Sequence, residues 1–197
     1  EIDDLVNNFC LNVKEIFKDK NLSKKKIMIH SSASIYSSIA MLTCSKLGIH
    51  FSVIFEDLQL EAINNRIKIF KPDIFISRWN YNIFFKKFPI SKLLNIKFHS
   101  FQDIIFSKKK IKKNKITYFK SNKSLFTLFT SGSTGKPKGI EHSSGGYLLY
   151  AKLTCIQQFG MNSNSVVLTA SDAGWINGHT YALYGPLSLG ATTILLE

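Results

Sequence analysis

The stretch Leu125–Gly139 reads LFTLFTSGSTGKPKG and determines how the rest of the chain is interpreted. Its opening segment LFTLF is almost wholly apolar, which predicts a short buried strand. The loop that follows combines glycines, hydroxyl side chains and lysines. Glycines let backbone N–H groups converge on one anion, hydroxyls add donors and lysines add positive charge. We therefore predict a phosphate-binding loop formed by Thr130, Ser131, Gly132, Ser133, Thr134, Gly135, Lys136 and Lys138.

Two other glycine motifs do not match this loop. A Walker A loop requires GxxxxGK[ST], whereas Gly132 and Gly135 are only three positions apart and Pro137 follows Lys136. A GxSxG nucleophile elbow requires a different spacing as well. The alternative is an ordinary surface loop between two strands, which explains less well why glycines, hydroxyls and lysines occur together.

Upstream of this loop, helical and strand patterns alternate. Gly48 ends one predicted helix, and Pro72 stops another. The predicted strands are 26–30, 49–55 and 73–77, and the predicted helices are 3–17, 34–47 and 60–70. Strands that alternate with helices in this way predict an α/β fold built from βα units around a mostly parallel sheet.

The remaining segments are predicted with the same rules. Residues from about 80 to 123 are less regular, with short helices expected at 91–96 and 101–106. Downstream of the loop, strands are predicted at 140–143, 165–170 and 192–196, and helices at 145–159 and 178–189. The fold class expected from the whole pattern is α/β with mixed or parallel sheets.

The composition limits the classes of partner. The chain of 197 residues has a formal net charge of +13, yet only Arg66 and Arg78 are arginines among its 26 basic residues. Specific nucleic-acid readout favours arginine, so we expect no specific nucleic-acid partner. The run Lys108–Lys115 is interpreted as a solvated loop, with an anionic partner as the alternative. No apolar run is long enough for a membrane span. Cys10, Cys44 and Cys155 are interpreted as reduced core thiols of a cytoplasmic protein.

Several strings together resemble a known family. TSGSTGKPKG resembles the phosphate-binding signature of the adenylate-forming (AMP-binding) superfamily. The segments 142–149 (HSSGGYLL), 173–187 (AGWINGHTYALYGPL) and 190–193 (GATT) are similar to acetyl-CoA and propionyl-CoA synthetases, its short-chain acyl-CoA synthetase subfamily. The resemblance covers nearly the whole chain and is most specific over residues 125–197.

The resemblance implies a division of the chain and a set of ligands. Residues 1–197 would form part of one large AMP-binding N-terminal domain, with 1–107 as a first βα portion, 108–123 as a lysine-rich loop and 124–197 as the phosphate-loop and acyl-pocket portion. The C-terminal domain would be absent. The implied ligands are ATP, a short-chain carboxylate, Mg²⁺ and coenzyme A, all small molecules. No catalytic residue or metal ligand is expected within this portion.

The resemblance also implies an acyl and coenzyme A pocket formed by Trp175, Ile176, Asn177, Gly178 and His179. The alternative is that Trp175 and His179 only pack a junction between elements. Relatives usually carry Thr or Val in place of Asn177, so we expect Asn177 to influence acyl preference. His142 is interpreted as structural.

One departure concerns coenzyme A. The segment Phe55–Leu58 reads FEDL where the family often has FGGF. Two carboxylates at that position would disfavour the approach of a phosphorylated cofactor.

The implied activity is ATP-dependent adenylation of a short-chain carboxylate followed by thioester formation with coenzyme A. The isolated 197 residues are expected to be inactive, because the family's adenine, metal and lysine motifs lie in later segments. Two alternatives stay open at this stage: a decayed or truncated non-catalytic gene product, and a basic polyanion-binding module.

Overall fold

The structure is a computed structural model that describes residues 2–18, 21–87, 97–105, 116–130 and 136–196. Its strands are β1 (Lys26–His30), β2 (His50–Ile54), β3 (Ile74–Ser77), β4 (Lys97–Ser100), β5 (Ser124–Thr130), β6 (Lys138–Ser143), β7 (Val166–Leu168) and β8 (Thr192–Ile194). Its helices are α1 (Ile2–Phe17), α2 (Ile35–Leu47), α3 (Leu60–Phe70), α4 (Tyr81–Lys87), α5 (Phe101–Ile105), α6 (Ser144–Phe159), α7 (Ile176–His179) and α8 (Gly185–Ser188). A 3₁₀ turn spans Leu22–Lys24, and a π-helical segment, Thr180–Tyr184, joins α7 to α8.

The main sheet has six strands in the order β4-β3-β1-β2-β5-β6. All neighbouring pairs are parallel except β5 and β6, which are antiparallel. Strands β7 and β8 form a separate parallel pair. The sequence of β1 to β3 is nearly continuous in apolar residues because these central strands are buried on both faces. The predicted α/β class with mixed and parallel sheets is confirmed.

Two hydrophobic cores lie on opposite faces of the main sheet. Side chains of a strand alternate between faces, so Ile27 and Ile29 join the larger core while Met28 joins the smaller one. Helices α1, α2, α5 and α6 contribute to the larger core, and α3 and α4 to the smaller one. Burial of each phenylalanine contributes about 1.5–3 kcal/mol. The fully buried ones are Phe9, Phe51, Phe75, Phe84, Phe101 and Phe126.

The ends of α2 show why its boundaries were predictable. Ser34 is the N-cap residue and exchanges hydrogen bonds with Ser37 in a capping box. Gly48 closes the helix in the left-handed region, with φ of 68°. Glycine adopts that conformation without the steric cost that a Cβ brings.

Some elements differ from the sequence-based expectations. Helix α4 and strand β4 were not predicted, because residues 81–100 carry no clear period. The helix expected at 178–189 begins instead at Ile176, and β6 begins at Lys138 rather than at residue 140. The expected helix at 101–106 is present as α5. The expected helix at 91–96 and the run Lys108–Lys115 lie outside the described residues.

The three cysteines of the chain are buried core residues. Cys10, Cys44 and Cys155 are free and buried, and burial raises the pKa of all three thiols. Within the described ranges, no helix has the length and apolar character needed to cross a membrane.

Candidate functional site

The predicted phosphate loop connects two paired strands. Thr130, the last residue of β5, pairs with Lys138, the first residue of β6. Thr130, Lys136 and Lys138 are all exposed, so a hydroxyl and two ammonium groups are available to an anion from solvent. Ser131, Gly132, Ser133, Thr134 and Gly135 lie outside the described residues, and their role in binding phosphate remains a prediction.

Thr130 also lines an apolar cavity of about 230 Å³. Its walls come from β5, from β6 and from the turn before α7. The lining residues are Leu128, Phe129, Thr130, Ile140, His142, Gly174, Trp175 and Ile176. The strand pairing explains this arrangement, because Leu128 lies opposite Ile140 and Phe126 lies opposite His142. Cross-strand neighbours such as these present their side chains on the same face.

A second cavity of about 310 Å³ adjoins the first, since His142 and Ile176 line both. Its other lining residues are Glu141, Ser143, Tyr147, Tyr150 and Thr180. The Tyr147 hydroxyl and the Thr180 hydroxyl are 2.9 Å apart and form a buried hydrogen bond. Thr180 is the first residue of the π-helical segment, and such segments often occur at functional sites. The candidate site therefore consists of an apolar cavity beside the predicted phosphate loop and an adjoining, more polar cavity.

Trp175 and Ile176 are the predicted pocket residues that the structure brings to the cavities. Trp175 is 60% exposed and packs against Phe55, with ring centroids 5.4 Å apart. Gly174 allows this contact, because a Cβ built there would lie 2.5 Å from the Phe55 ring. The turn before α7 is thus held against the carboxyl end of β2.

The other three predicted pocket residues do not line either cavity. Asn177 is exposed, so a role in a pocket would require a surface supplied from outside the described residues. Gly178 is buried, and a Cβ on it would lie 2.2 Å from the carbonyl oxygen of Asp172. Close packing between two backbone segments therefore explains this glycine.

His179 is fully buried and packs between aromatic rings. Its ring centroid lies 4.5 Å from that of Phe126 and 6.0 Å from that of Phe51. Its Nδ1 lies 3.2 Å from the Trp175 carbonyl oxygen, so Nδ1 carries the hydrogen and donates it. Burial lowers the pKa of His179 to about 3, which keeps the imidazole neutral. The structure therefore supports the packing interpretation of His179.

Sequence reasoning missed several cavity residues, namely Leu128, Phe129, Ile140, His142, Tyr147 and Thr180. His142, interpreted as structural, stacks on Phe126 with centroids 4.7 Å apart and is also a wall of both cavities. Burial lowers its pKa. The alternation of side chains along β5 and β6 would have identified Leu128, Ile140 and His142, had the antiparallel register been known.

Carboxylates gather near this site, at the carboxyl end of β2. Glu56 is largely buried, Asp57 is exposed and Asp172 is half-buried. Burial raises the pKa of Asp172, and the negative charges of Glu56 and Asp57 raise it further. The Asp172 carboxylate accepts a hydrogen bond from the Gly174 N–H at 2.7 Å. The expectation that carboxylates at this position disfavour a phosphorylated cofactor stays a prediction.

Comparison with known proteins gives consistent results. A family model described as AMP-binding enzyme matches residues 15–197. The chain is 33% identical over 187 residues to an acetyl-coenzyme A synthetase of Cronobacter sakazakii, covering 82% of this chain and 29% of the relative. It is 37% identical over 185 residues to acetyl-coenzyme A synthetase 1 of Pseudomonas aeruginosa, covering 81% of this chain and 28% of the relative. The chain thus spans about a third or less of these curated relatives.

A solved structure supports the fold. O-succinylbenzoate coenzyme A synthetase from Bacillus subtilis, determined with ATP and a magnesium ion, superimposes with a TM-score of 0.80 at 16% identity. The match covers 100% of this chain and 50% of that chain. Since the family model matches residues 15–197, well over half of the sequence, the chain belongs to the AMP-binding enzyme family.

Proposed function

We propose that this chain supplies the triphosphate-binding loop and the acyl pocket of an acyl-CoA synthetase that adenylates a short-chain carboxylate. One observation carries the proposal: Thr130, at the start of the predicted phosphate loop, is also part of the wall of an apolar cavity that ends at Trp175 and Ile176. Adenylation requires a carboxylate to be held against the α-phosphate of ATP, so the two sites must adjoin.

The size and lining of the cavity support a small acid. Its volume of about 230 Å³ is below the roughly 300–1,000 Å³ of sites for drug-sized ligands. Leu128, Ile140 and Ile176 offer apolar contacts to an alkyl group, while the Thr130 hydroxyl lies on the side of the loop. The acyl chain would lie against the isoleucines, and its carboxylate would face the nucleotide.

The described residues fit the phosphates of ATP better than they fit the metal. Thr130, Lys136 and Lys138 offer exposed donors and positive charge at one place. No group of three or more His, Cys, Asp or Glu side chains suited to a metal ion occurs in the described ranges. Mg²⁺ would neutralise charge on the phosphates when bound, and its protein ligands would come from the part of the relatives that this chain does not span.

Binding to the 197-residue chain tests the proposal first. ATP titrated into the wild-type chain in a calorimeter should bind at least tenfold more tightly than into Lys138→Ala. The matched control is Lys152→Ala, which removes one exposed positive charge on α6. If Lys138→Ala and Lys152→Ala bind ATP equally, only net charge is involved and the loop assignment is wrong.

Activity is tested in two forms of the protein. The 197-residue chain alone should release no pyrophosphate from ATP with acetate or propionate, because it spans less than a third of the Pseudomonas relative. A completed protein is made by replacing the matching segment of the Pseudomonas relative with this chain. It should release pyrophosphate with one of these acids. Turnover by the isolated chain would contradict the first expectation, and an inactive but folded completed protein would contradict the second.

A further inference from the structure

One of the two arginines of the chain, Arg66, is half-buried in the middle of α3. Its Nη1 donates a hydrogen bond to the Ala62 carbonyl, one helical turn earlier, at 3.0 Å. Burial lowers the pKa of the guanidinium, because removal from water disfavours its charged form. An arginine nevertheless stays charged at neutral pH. A fixed positive charge is therefore held partly out of water on this helix.

Within the described ranges, no carboxylate forms an ion pair with Arg66. Glu141, the acidic residue of β6, is hydrogen-bonded to the Ser124 hydroxyl instead. Withdrawing a charge from water is unfavourable unless an opposite charge offsets the loss of hydration. The position of Arg66 therefore suits a site whose anion is a ligand.

The guanidinium of Arg66 lies over the ring of Phe129, with Cζ 5.6 Å from the ring centroid, which permits a cation–π interaction. Phe129 directly precedes Thr130, and its register partner Gly139 directly follows Lys138. The pair Phe129–Gly139 is thus adjacent to the pair Thr130–Lys138, about 3.3 Å along the strands. The charge of Arg66 therefore lies next to the base of the predicted phosphate loop.

The packing of α3 against β6 fixes the position of the guanidinium. A Cβ built on Gly139 would lie 3.4 Å from the Phe129 ring and 3.8 Å from the Ile69 side chain. Ile69 is three positions after Arg66, so the two side chains share one side of α3. The helix, the ring and the strand thus approach each other closely at the glycine. Phe129 also packs against the smaller core, so Arg66 reaches the loop from that face of the sheet.

The residue type matches this position. Only Arg66 and Arg78 are arginines among the 26 basic residues, so lysine occupies nearly every basic position of the chain. A planar guanidinium stacks on aromatic rings and is more weakly hydrated than an ammonium group. Arginine therefore suits a half-buried charge over Phe129 better than lysine does.

We propose that Arg66 supplies fixed positive charge to the phosphate loop and thereby strengthens the binding of a triphosphate. The inference rests on the proposed function, because it takes Thr130 and Lys138 as part of the phosphate site. Lys136 and Lys138 are exposed and act from the side of the solvent, whereas Arg66 acts from the side of the smaller core. Its contribution is electrostatic, so it increases with the number of negative charges on the ligand.

Binding of inorganic tripolyphosphate, pyrophosphate and phosphate to the 197-residue chain tests the proposal. In calorimetry at low and equal ionic strength, Arg66→Gln should weaken tripolyphosphate binding by about fivefold or more, pyrophosphate binding less and phosphate binding least. Arg66→Lys retains the charge and should stay within about twofold of the wild type. The matched control is Lys68→Met, which removes an exposed charge from another side of α3 and should also stay within about twofold.

Urea unfolding checks that each variant is folded, and Arg66→Met provides a second neutral variant. The proposal is overturned if both neutral variants are unfolded, since Arg66 then serves stability alone. It is also overturned if Arg66→Lys or Lys68→Met loses as much affinity as Arg66→Gln, or if Arg66→Gln weakens all three ligands equally.

Lys138→Ala separates this inference from the proposed function. If Lys138→Ala weakens tripolyphosphate binding and Arg66→Gln does not, the inference about Arg66 alone is wrong. If the wild-type chain binds no tripolyphosphate, or if Lys138→Ala binds it as tightly as the wild type does, the proposed phosphate site is wrong and the inference about Arg66 fails with it.

Discussion

Phe55 and Trp175 pack ring against ring, with centroids 5.4 Å apart and planes inclined by 54°. Phe55 follows β2 in the main sheet, whereas Trp175 belongs to the turn before α7. This contact fixes one wall of the apolar cavity relative to the sheet, since Gly174 and Trp175 both line it. The cavity is therefore built on the sheet even though three of its eight lining residues come from a distant segment of the chain.

The close backbone packing at Gly178 predicts a loss of stability. In Gly178→Ala the new Cβ would meet the Asp172 carbonyl oxygen at 2.2 Å and the carbonyl carbon at 2.8 Å. Backbone atoms cannot move aside cheaply, so we expect destabilisation by about 1–3 kcal/mol or more. Urea unfolding measures the change. Gly146→Ala, in α6, is the control, since the added Cβ would lie only near the Ser143 hydroxyl. Equal losses of stability in the two variants would contradict the prediction.

The positions of Ile176 and Asn177 predict which residue controls acid selectivity. Ile176 lines both cavities, while Asn177 is exposed and lines neither. In the completed protein, Ile176→Ala should raise kcat/KM for acids longer than propionate relative to acetate by about tenfold, since one extra or missing methylene in an apolar pocket is worth about 1–3 kcal/mol. Asn177→Ala should leave the ratio within about twofold. A larger change of the ratio in Asn177→Ala than in Ile176→Ala would show that Asn177, and not Ile176, controls acid selectivity.

Buried histidines predict that the chain loses stability as the pH falls. Burial lowers the pKa of His179 to about 3 and the pKa of both His30 and His50 to about 4. Each folded-state pKa lies below the unfolded value of about 6.5, so the unfolded chain binds the proton first. The full stability is present above pH 6.5 and decreases towards pH 4.

His179→Phe tests this pH dependence at one site. The substitution should reduce the slope of unfolding free energy against pH by about 1.4 kcal/mol per pH unit between pH 6 and 4. Phenylalanine retains a ring between Phe51 and Phe126, which limits changes in packing. Urea unfolding at several pH values gives the slope, and an unchanged slope would show that His179 takes up its proton in the folded state.

The hydrogen bond between Tyr147 and Thr180 predicts an energetic coupling. The two hydroxyl oxygens are 2.9 Å apart and buried. Tyr147→Phe, Thr180→Val and the double variant form a cycle whose coupling energy should be about 1 kcal/mol. Tyr150→Phe with Thr180→Val provides a comparison pair, as Tyr150 is exposed and should show no coupling. Additive effects for Tyr147 and Thr180 would contradict the predicted bond.

Local signals in the sequence predicted the central elements well. Ser34 and Gly48 mark the two ends of α2, and the apolar runs at β1 to β3 predict a buried parallel sheet. The antiparallel pairing of β5 with β6 was not predicted, since the pattern within one strand does not encode the direction of its partner. Helix α4 and strand β4 were missed for a similar reason, because contacts such as that of Phe84 with Phe98 determine them.

The candidate site was predicted only in part. The residue types of the loop predict phosphate binding, which stays a prediction, and Trp175 and Ile176 were identified through the resemblance to a family. His142, Tyr147 and Thr180 come together only in three dimensions, through a strand register and a π-helical segment. Packing was the alternative interpretation of His179, and the sequence could not decide between the two, because burial is a property of the folded chain.

The pairing of Thr130 with Lys138 has a consequence for how tightly the proposed phosphate loop would hold a nucleotide. The strands bring both ends of the intervening segment together before any ligand arrives. The entropy of closing that loop is therefore lost during folding and is not lost a second time when a ligand binds. Substitutions far down the β5–β6 ladder that loosen the pairing should weaken nucleotide affinity without touching the nucleotide.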